Sequence, residues 1–181
     1  MDRFFTGQSD EEKWVFEREK MVSTQIEARG VRDQRVLQAM RDVKRHIFVP
    51  DDMKTRAYTD NPLPVGYGQT ISQPYIVAFM TEALETKEEH NILEIGTGCG
   101  YQSAVIASIV KGVYTVEIVE ELYKKSSELL QKSGYLNVKC KYGDGYEGWP
   151  EFAPFDGIII TAAPPRLPVN LFEQLKVGGK M

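Results

Sequence analysis

The stretch Leu93-Glu94-Ile95-Gly96-Thr97-Gly98-Cys99-Gly100 decides the fold. A short apolar run leads into three alternate glycines, and a helical pattern follows to about Val110. Alternate glycines at a strand-to-helix turn let the backbone approach a ligand closely and leave amide groups unpaired at the helix start. Such a turn is common in α/β proteins, so by itself it is weak support for a particular ligand.

Two carboxylates follow the turn at the intervals that a nucleoside ligand requires. Glu117 ends the second predicted strand, 21 residues after Gly96, where an acidic side chain meets the two ribose hydroxyls. Asp144 lies between Gly143 and Gly145 after the third strand, which brings a second carboxylate to the same edge of the sheet. The flanking glycines would let an adenine ring lie flat against the backbone. Together these features predict a nucleoside cofactor.

The glycine spacing separates NAD from S-adenosylmethionine. A dinucleotide turn reads G-x-G-x-x-G, whereas Gly96, Gly98 and Gly100 place the third glycine one residue too early. Glu94 suits a cationic ligand better than a pyrophosphate. We interpret it as facing the methionine ammonium, directly or through water; the alternative is a structural anchor for the loop. We therefore predict S-adenosylmethionine as cofactor, with S-adenosylhomocysteine as product, and disfavour a dehydrogenase.

Strands and helices alternate in the second half of the chain. Strands are predicted at Asn91–Ile95, Val113–Ile118, Val138–Tyr142 and Phe155–Thr161, and a last helix near Val169–Leu175 ends at Gly178-Gly179. This alternation predicts an α/β, Rossmann-like class I fold: a mostly parallel sheet with helices on both faces. We expect one domain, made of a helical N-terminal extension (1–60), an active-site loop and helix (61–90) and a cofactor-binding core (91–181).

Composition limits the class of protein. The chain is 42% apolar and 27% charged, as soluble domains are, and has no apolar run long enough to span a membrane. Cys99 and Cys140 support neither a disulfide framework nor a zinc site, so we expect a cytoplasmic protein without a metal. The net charge of −4 argues against nucleic acid as a partner. A basic stretch consists of Arg29, Arg32, Arg35, Arg41, Lys44 and Arg45. We interpret it as a solvated helical face.

The residues near the predicted crevice indicate the methyl acceptor. Thr161-Ala162-Ala163-Pro164-Pro165 follows the fourth strand and lacks the side chain that grips an exocyclic amine in DNA amino-methyltransferases. His90 precedes the first strand, away from the crevice, so no strong base is evident. A carboxylate acceptor needs none, because with a pKa near 4 it is already ionised at neutral pH. Its methylation requires mainly alignment of the reacting atoms and exclusion of water.

The segment Val65-Gly66-Tyr67-Gly68-Gln69-Thr70-Ile71-Ser72-Gln73-Pro74 makes a family resemblance specific. With the glycine turn and Gly143-Asp144-Gly145, it resembles the protein-L-isoaspartate O-methyltransferase family along nearly the whole chain. The resemblance implies cofactor contacts from Thr70, Ile71, Ser72, Gln73, Gly96, Thr97, Gly98, Glu117, Asp144 and Gly145. It also implies that Ser72 is the active-site serine, whose hydroxyl would orient the acceptor carboxylate; the alternative is a helix N-cap. Ala162 and Ala163 would let the substrate backbone approach.

Members of this family methylate the α-carboxylate of L-isoaspartyl residues, which starts the repair of damaged proteins. The resemblance therefore implies isoaspartyl-containing peptides and proteins as partners, and we expect a monomer. Two alternatives stay open: a methyltransferase acting on RNA or a small molecule, and a non-catalytic adaptor that binds the cofactor. Family members continue beyond Gly178-Gly179 into further strands, so we expect a shortened chain whose fourth strand lacks its usual partner.

Overall fold

Helices form the first part of the chain, and strands alternate with helices from residue 91 onward. The computed structural model describes residues 10–162, 166 and 168–181. Its helices are α1 (Asp10–Met21), α2 (Gln34–Asp42), α3 (Pro74–Ala83), α4 (Tyr101–Ala107), α5 (Glu120–Lys132) and α6 (Val169–Glu173). Its strands are β1 (Leu63–Gly66), β2 (Gln69–Ile71), β3 (Asn91–Ile95), β4 (Gly112–Glu117), β5 (Val138–Tyr142), β6 (Phe155–Ile160) and β7 (Leu175–Lys180). The predicted α/β class is confirmed.

Within the described residues, five strands form a parallel sheet in the order β5-β4-β3-β6-β7. The central strands are nearly continuous apolar runs because helices flank the sheet; Leu93, Ile158 and Phe155, for example, are fully buried. The strand order reverses beside β3, whose neighbours are β4 and β6. In open α/β sheets, ligands bind at the carboxyl ends of the strands next to such a reversal. The topology therefore puts the glycine turn at the start of a crevice.

The last strand corrects two predictions. Helix α6 ends at Glu173, and the residues up to the paired glycines form β7 instead of continuing the helix. The physical reason is close packing: a side chain at Gly179 would come within 2.9 Å of the carbonyl oxygen of Asp156 in β6. Since β6 pairs with both β3 and β7, the expectation that the fourth strand lacks a partner is wrong. Among the described strands, β7 is the edge on this side of the sheet.

The N-terminal extension packs against α3 and α4. The glycine turn leads into α4. Its first helix continues from Met21 through a π-helical turn and a 3₁₀ turn to Gly30, whose left-handed φ of +105° ends it. Helix α2 begins after its N-cap Asp33, whose Oδ1 accepts a hydrogen bond from the backbone N–H of Arg35 at 2.9 Å. Helix α2 contacts both α3 and α4. The extension thereby supports the two helices that follow the Thr70–Ser72 segment and the glycine turn.

The basic stretch is largely neutralised by neighbouring acidic groups. Four of its side chains form ion pairs: Arg29 with Asp60, Arg35 with Asp33, Arg41 with Glu19 and Lys44 with Glu11. Arg45 contradicts the interpretation of a solvated face, because its side chain is fully buried. The chain turns inward there as a 3₁₀ turn, Arg45–Phe48, follows α2. None of the described helices is both long enough and apolar enough to cross a bilayer.

Candidate active site

A cavity of roughly 550 Å³ opens at the carboxyl ends of β3, β4 and β6. This volume lies within the range of small-molecule sites, about 300–1,000 Å³. Of the predicted site residues, the cavity is lined by Thr70, Ile71, Ser72, Gly96, Thr97, Gly98, Glu117, Asp144, Gly145 and Ala162. Its lining does not include Gln73, Glu94 or Gly100. Ala163 lies outside the described residues. The structure thus brings together five segments that are far apart in sequence.

The glycine turn approaches the end of β6 too closely for any side chain. Gly96 has a φ of +100°, and a Cβ there would lie 2.7 Å from Oγ1 of Thr161. That hydroxyl donates a hydrogen bond to the Gly96 carbonyl oxygen at 2.6 Å and locks the turn against the strand end. Gly100 serves helix α4 instead of the cavity: it is the N-cap, with a φ of +90°, and faces Leu130. The first glycine therefore shapes the site, and the third shapes the helix.

Glu117 combines a structural role with free acceptor capacity. Its side chain is almost fully buried, and its carboxylate accepts hydrogen bonds from the backbone N–H of Gly98 at 2.7 Å and of Val119 at 2.9 Å. A carboxylate has about four lone-pair positions, so these two bonds leave acceptors for further donors. Because Glu117 also lines the cavity, a ligand hydroxyl can reach the remaining positions. This is the arrangement that a ribose requires.

The loop after β5 forms another wall. Oδ1 of Asp144 accepts a hydrogen bond from the backbone N–H of Tyr146 at 2.9 Å, which holds the loop in a tight turn. A Cβ on Gly145 would lie 2.4 Å from Cγ2 of Ile95, so only glycine fits against this part of the cavity wall. The backbone at Gly145 therefore packs directly against Ile95 in the wall of the cavity.

Ser72 lines the cavity directly after a short antiparallel hairpin formed by β1 and β2. Helix α3 begins one residue later than predicted, with Gln73 as N-cap and Pro74 in its first turn. The N-cap alternative for Ser72 is therefore wrong. Among the described residues, no hydrogen bond to the Ser72 hydroxyl is observed, whereas Nε2 of Gln73 donates to the carbonyl oxygen of Asp60 at 3.1 Å. The serine hydroxyl is free to meet a ligand, and the glutamine amide is engaged elsewhere.

Glu94 does not contact the cavity, which favours the structural alternative for it over the predicted ammonium contact. Its side chain is fully buried, Ser103 donates a hydrogen bond to Oε2, and Oε1 has no hydrogen-bond partner among the described residues. Burial raises the pKa of Glu94 from 4.5 to about 7; the hydroxyls of Ser103 and Thr115 lower it, and the charge of Glu117 raises it further. The side chain ties β3 to α4 beneath the turn.

We expect Glu94→Gln to gain stability relative to the native chain as the pH rises. The folded-state pKa is raised, so the unfolded chain releases the proton first, and the free energy of unfolding falls between about pH 4.5 and 7 and then levels off. Glutamine cannot ionise, so the variant does not lose this free energy of unfolding, which is at most about 3 kcal/mol. Urea unfolding at pH 5 and pH 8 measures it, with Glu121→Gln, exposed on α5, as control. Parallel pH profiles for both variants and the native chain would contradict this result.

Several cavity residues were not identified from the sequence. Thr161, Tyr101 and Tyr146 line the cavity, but their types and spacing follow no motif that marks a ligand contact. Cys99 also lines it, and burial raises the pKa of its thiol to about 11, so the thiol stays protonated near neutral pH. No cluster of His, Cys, Asp or Glu suited to a metal ion is found among the described residues.

The fold and the site define the class of protein. A parallel sheet reversing beside β3, a glycine turn that excludes side chains and a buried carboxylate with free acceptors are the features of a class I methyltransferase that uses S-adenosylmethionine. The family model of protein-L-isoaspartate(D-aspartate) O-methyltransferase (PCMT) matches residues 16–181. The chain belongs to this family, and the resemblance predicted from the sequence is confirmed.

Individual relatives agree with this assignment. The protein-L-isoaspartate O-methyltransferase of Synechococcus sp. (strain JA-2-3B'a(2-13)) is 56% identical over 165 residues, which cover 91% of this chain and 68% of that protein. A solved protein-L-isoaspartate O-methyltransferase has a TM-score of 0.83 at 31% identity. The match covers 90% of this chain and spans about half, 53%, of that chain.

A second solved structure shares the fold. It is a Plasmodium falciparum protein described as a β-aspartate methyltransferase (PCMT), in complex with S-adenosyl-L-homocysteine, with a TM-score of 0.76 at 23% identity. The match covers 90% of this chain and 81% of that one.

Proposed function

We propose that the protein transfers a methyl group from S-adenosylmethionine to the α-carboxylate of L-isoaspartyl residues in damaged proteins. The observation that carries this proposal is that Thr70–Ser72, the segment typical of the family, lines the same cavity as the glycine turn.

Each part of the cavity has a role in this reaction. The glycine turn and Glu117 would hold the cofactor's amino-acid and ribose parts, and the backbone at Gly145 would receive the adenine. The cofactor supplies an electrophilic methyl group on a sulfonium. Ser72 would orient the acceptor carboxylate by a hydrogen bond, because methyl transfer requires alignment of the reacting atoms. No general base is required, because the acceptor is already ionised near neutral pH.

The walls also favour the reaction by excluding water. A cationic sulfonium and an anionic carboxylate become neutral products, so charge is lost in the transition state and an apolar, water-poor site favours it. Ile71, Ile95 and Val116 supply apolar surface on the cavity walls.

The test is methyl transfer from labelled S-adenosylmethionine to two peptides that differ only in an L-isoaspartyl or a normal aspartyl linkage. We expect base-labile label on the isoaspartyl peptide alone. Label on neither peptide would overturn the proposal, and label on RNA would favour the nucleic-acid alternative. S-adenosylhomocysteine binding without any transfer would favour the adaptor.

We expect Ser72→Ala to lower kcat while leaving cofactor affinity nearly unchanged. A hydrogen bond to a charged group contributes about 1.5–3 kcal/mol, which corresponds to roughly a 10- to 100-fold loss of turnover. Steady-state kinetics with the isoaspartyl peptide and calorimetric binding of S-adenosylhomocysteine separate the two effects. Ser127→Ala, exposed on α5, is the control. A loss of S-adenosylhomocysteine affinity as large as the loss of kcat would assign Ser72 to the cofactor instead.

We further propose a single-domain monomer that acts in the cytoplasm on isoaspartyl-containing proteins and not on nucleic acid. The 61–90 segment and the 91–162 segment both contribute residues to the cavity lining, which supports a single domain. The ion pairs of the basic stretch leave little free positive charge for phosphates, which supports the exclusion of nucleic acid. Light scattering tests whether the protein is a monomer, and the salt dependence of RNA binding tests whether nucleic acid is excluded as a partner.

A further inference from the structure

Arg45 is a buried cation without an acidic partner. Its side chain is fully buried, and among the described residues it forms no ion pair. Burial lowers the pKa of its guanidinium. A buried charge is costly unless its hydrogen bonds are made, and a well-packed apolar residue often stabilises a fold more. The position therefore calls for an explanation beyond packing.

The guanidinium joins three segments. Nε donates a hydrogen bond to the carbonyl oxygen of Ala57 at 2.7 Å, and Nη2 donates to the carbonyl oxygen of Ser72 at 2.7 Å. Its central carbon lies 4.7 Å from the centre of the Tyr101 ring, at the start of α4. Ala57 belongs to the N-terminal extension, whereas Ser72 and Tyr101 both line the cavity. One side chain thus connects the extension to two segments that line the cavity.

The geometry of these contacts is specific to arginine. A planar fork can donate to two carbonyl groups while its face lies on an aromatic ring, whereas a lysine ammonium has neither the fork nor the face. The remaining nitrogen, Nη1, is buried and has no hydrogen-bond partner among the described residues. The guanidinium therefore stays in this position although one of its donor nitrogens has no acceptor. Such a cost is consistent with a functional constraint at this position.

We propose that Arg45 is a positioning residue for the methyl transfer: by holding the Ser72 carbonyl and the Tyr101 ring, it fixes the backbone from which the Ser72 hydroxyl reaches the acceptor. This inference rests on the proposed function of Ser72. Arg45 itself does not line the cavity, so it acts through Ser72 and not on the substrate directly.

A double-mutant cycle tests the proposal. We expect Arg45→Met and Arg45→Lys to lower kcat for the isoaspartyl peptide roughly 10- to 100-fold, as misplacing a reacting group does. The affinity for S-adenosylhomocysteine should change less than about threefold. In the Ser72→Ala background the same changes should have little further effect, because the group that Arg45 positions is gone. Lys44→Met, a neighbouring exposed site, is the control and should leave kcat unchanged.

Independent, multiplicative losses of kcat in the cycle would overturn the proposal, as would a loss of cofactor affinity equal to the loss of kcat. Arg45→Lys keeps the charge and covers the case in which Arg45→Met does not fold. A readout without catalysis is amide hydrogen exchange over residues 69–74. We expect exchange there to rise in the Arg45 variants and not in Lys44→Met; unchanged exchange overturns the proposal even if the native chain methylates neither peptide.

Discussion

Replacing Gly96 by alanine is expected to lower the affinity for S-adenosylhomocysteine by 100-fold or more, the largest effect of any single substitution considered for this protein. The new Cβ would lie 2.7 Å from Oγ1 of Thr161 and 3.2 Å from the backbone nitrogen of Ala162. The turn must therefore move away from the end of β6, which shifts the cavity wall. The φ of +100° adds backbone strain on the order of 1–3 kcal/mol for a residue with a side chain. Isothermal calorimetry with S-adenosylhomocysteine measures the loss.

Gly134→Ala separates the steric effect from the backbone strain. Gly134 also has a left-handed φ, +87°, but no atom lies within 4 Å of the position of its Cβ. We expect this variant to unfold at a lower temperature and to bind S-adenosylhomocysteine as the native chain does. If the two alanine variants lost affinity equally, strain alone would explain the result, and the contact with Thr161 would have no role.

Glu117→Gln is expected to weaken S-adenosylhomocysteine binding about 10- to 100-fold. The amide keeps one acceptor oxygen, but its NH₂ group must face either the N–H of Gly98 or that of Val119, where a donor meets a donor. The charge that strengthens bonds from ribose hydroxyls is lost as well, and a hydrogen bond to a charged group contributes about 1.5–3 kcal/mol. The same calorimetric titration measures this effect, and kcat at saturating cofactor should fall much less.

The matched control is Glu120→Gln, three residues further along the chain. Glu120 forms an exposed ion pair with Lys124 one helical turn away, an interaction of about 0.3–0.5 kcal/mol. Its loss should change cofactor affinity less than twofold. An affinity of Glu117→Gln within twofold of the native chain would remove Glu117 from the cofactor site.

The sequence predicts the positions of Gly96, Glu117 and Asp144 at the cavity because their places are set by topology. In a βαβ unit the residue after each strand must arrive at the same edge of the sheet, so spacing along the chain becomes proximity in space. The same reasoning explains why the parallel fold could be predicted from alternating apolar runs alone.

Other features depend on packing between segments far apart in sequence, which no local pattern records. Arg45 follows a run of solvated basic residues and resembles them in type, yet the turn after α2 buries it. Glu94 was placed in the site by its charge, whereas its burial against Ser103 places it beneath the site. The role of Ser72 depends on where α3 begins, which the sequence pattern does not define to one residue. Because Gln73 is the N-cap, the Ser72 hydroxyl does not cap the helix.

The cavity walls come from both sides of residue 90, and one of them is held by the N-terminal extension through Arg45 and Ala57. A molecule bound between these walls contacts two parts of the chain that no strand pairing joins among the described residues. Its binding free energy therefore adds to the free energy needed to unfold either part locally. The protein loaded with cofactor or product is then harder for proteases to open than the empty protein. A fall in the supply of cofactor would then shorten the lifetime of the protein, because less of it would be in the bound, protected state.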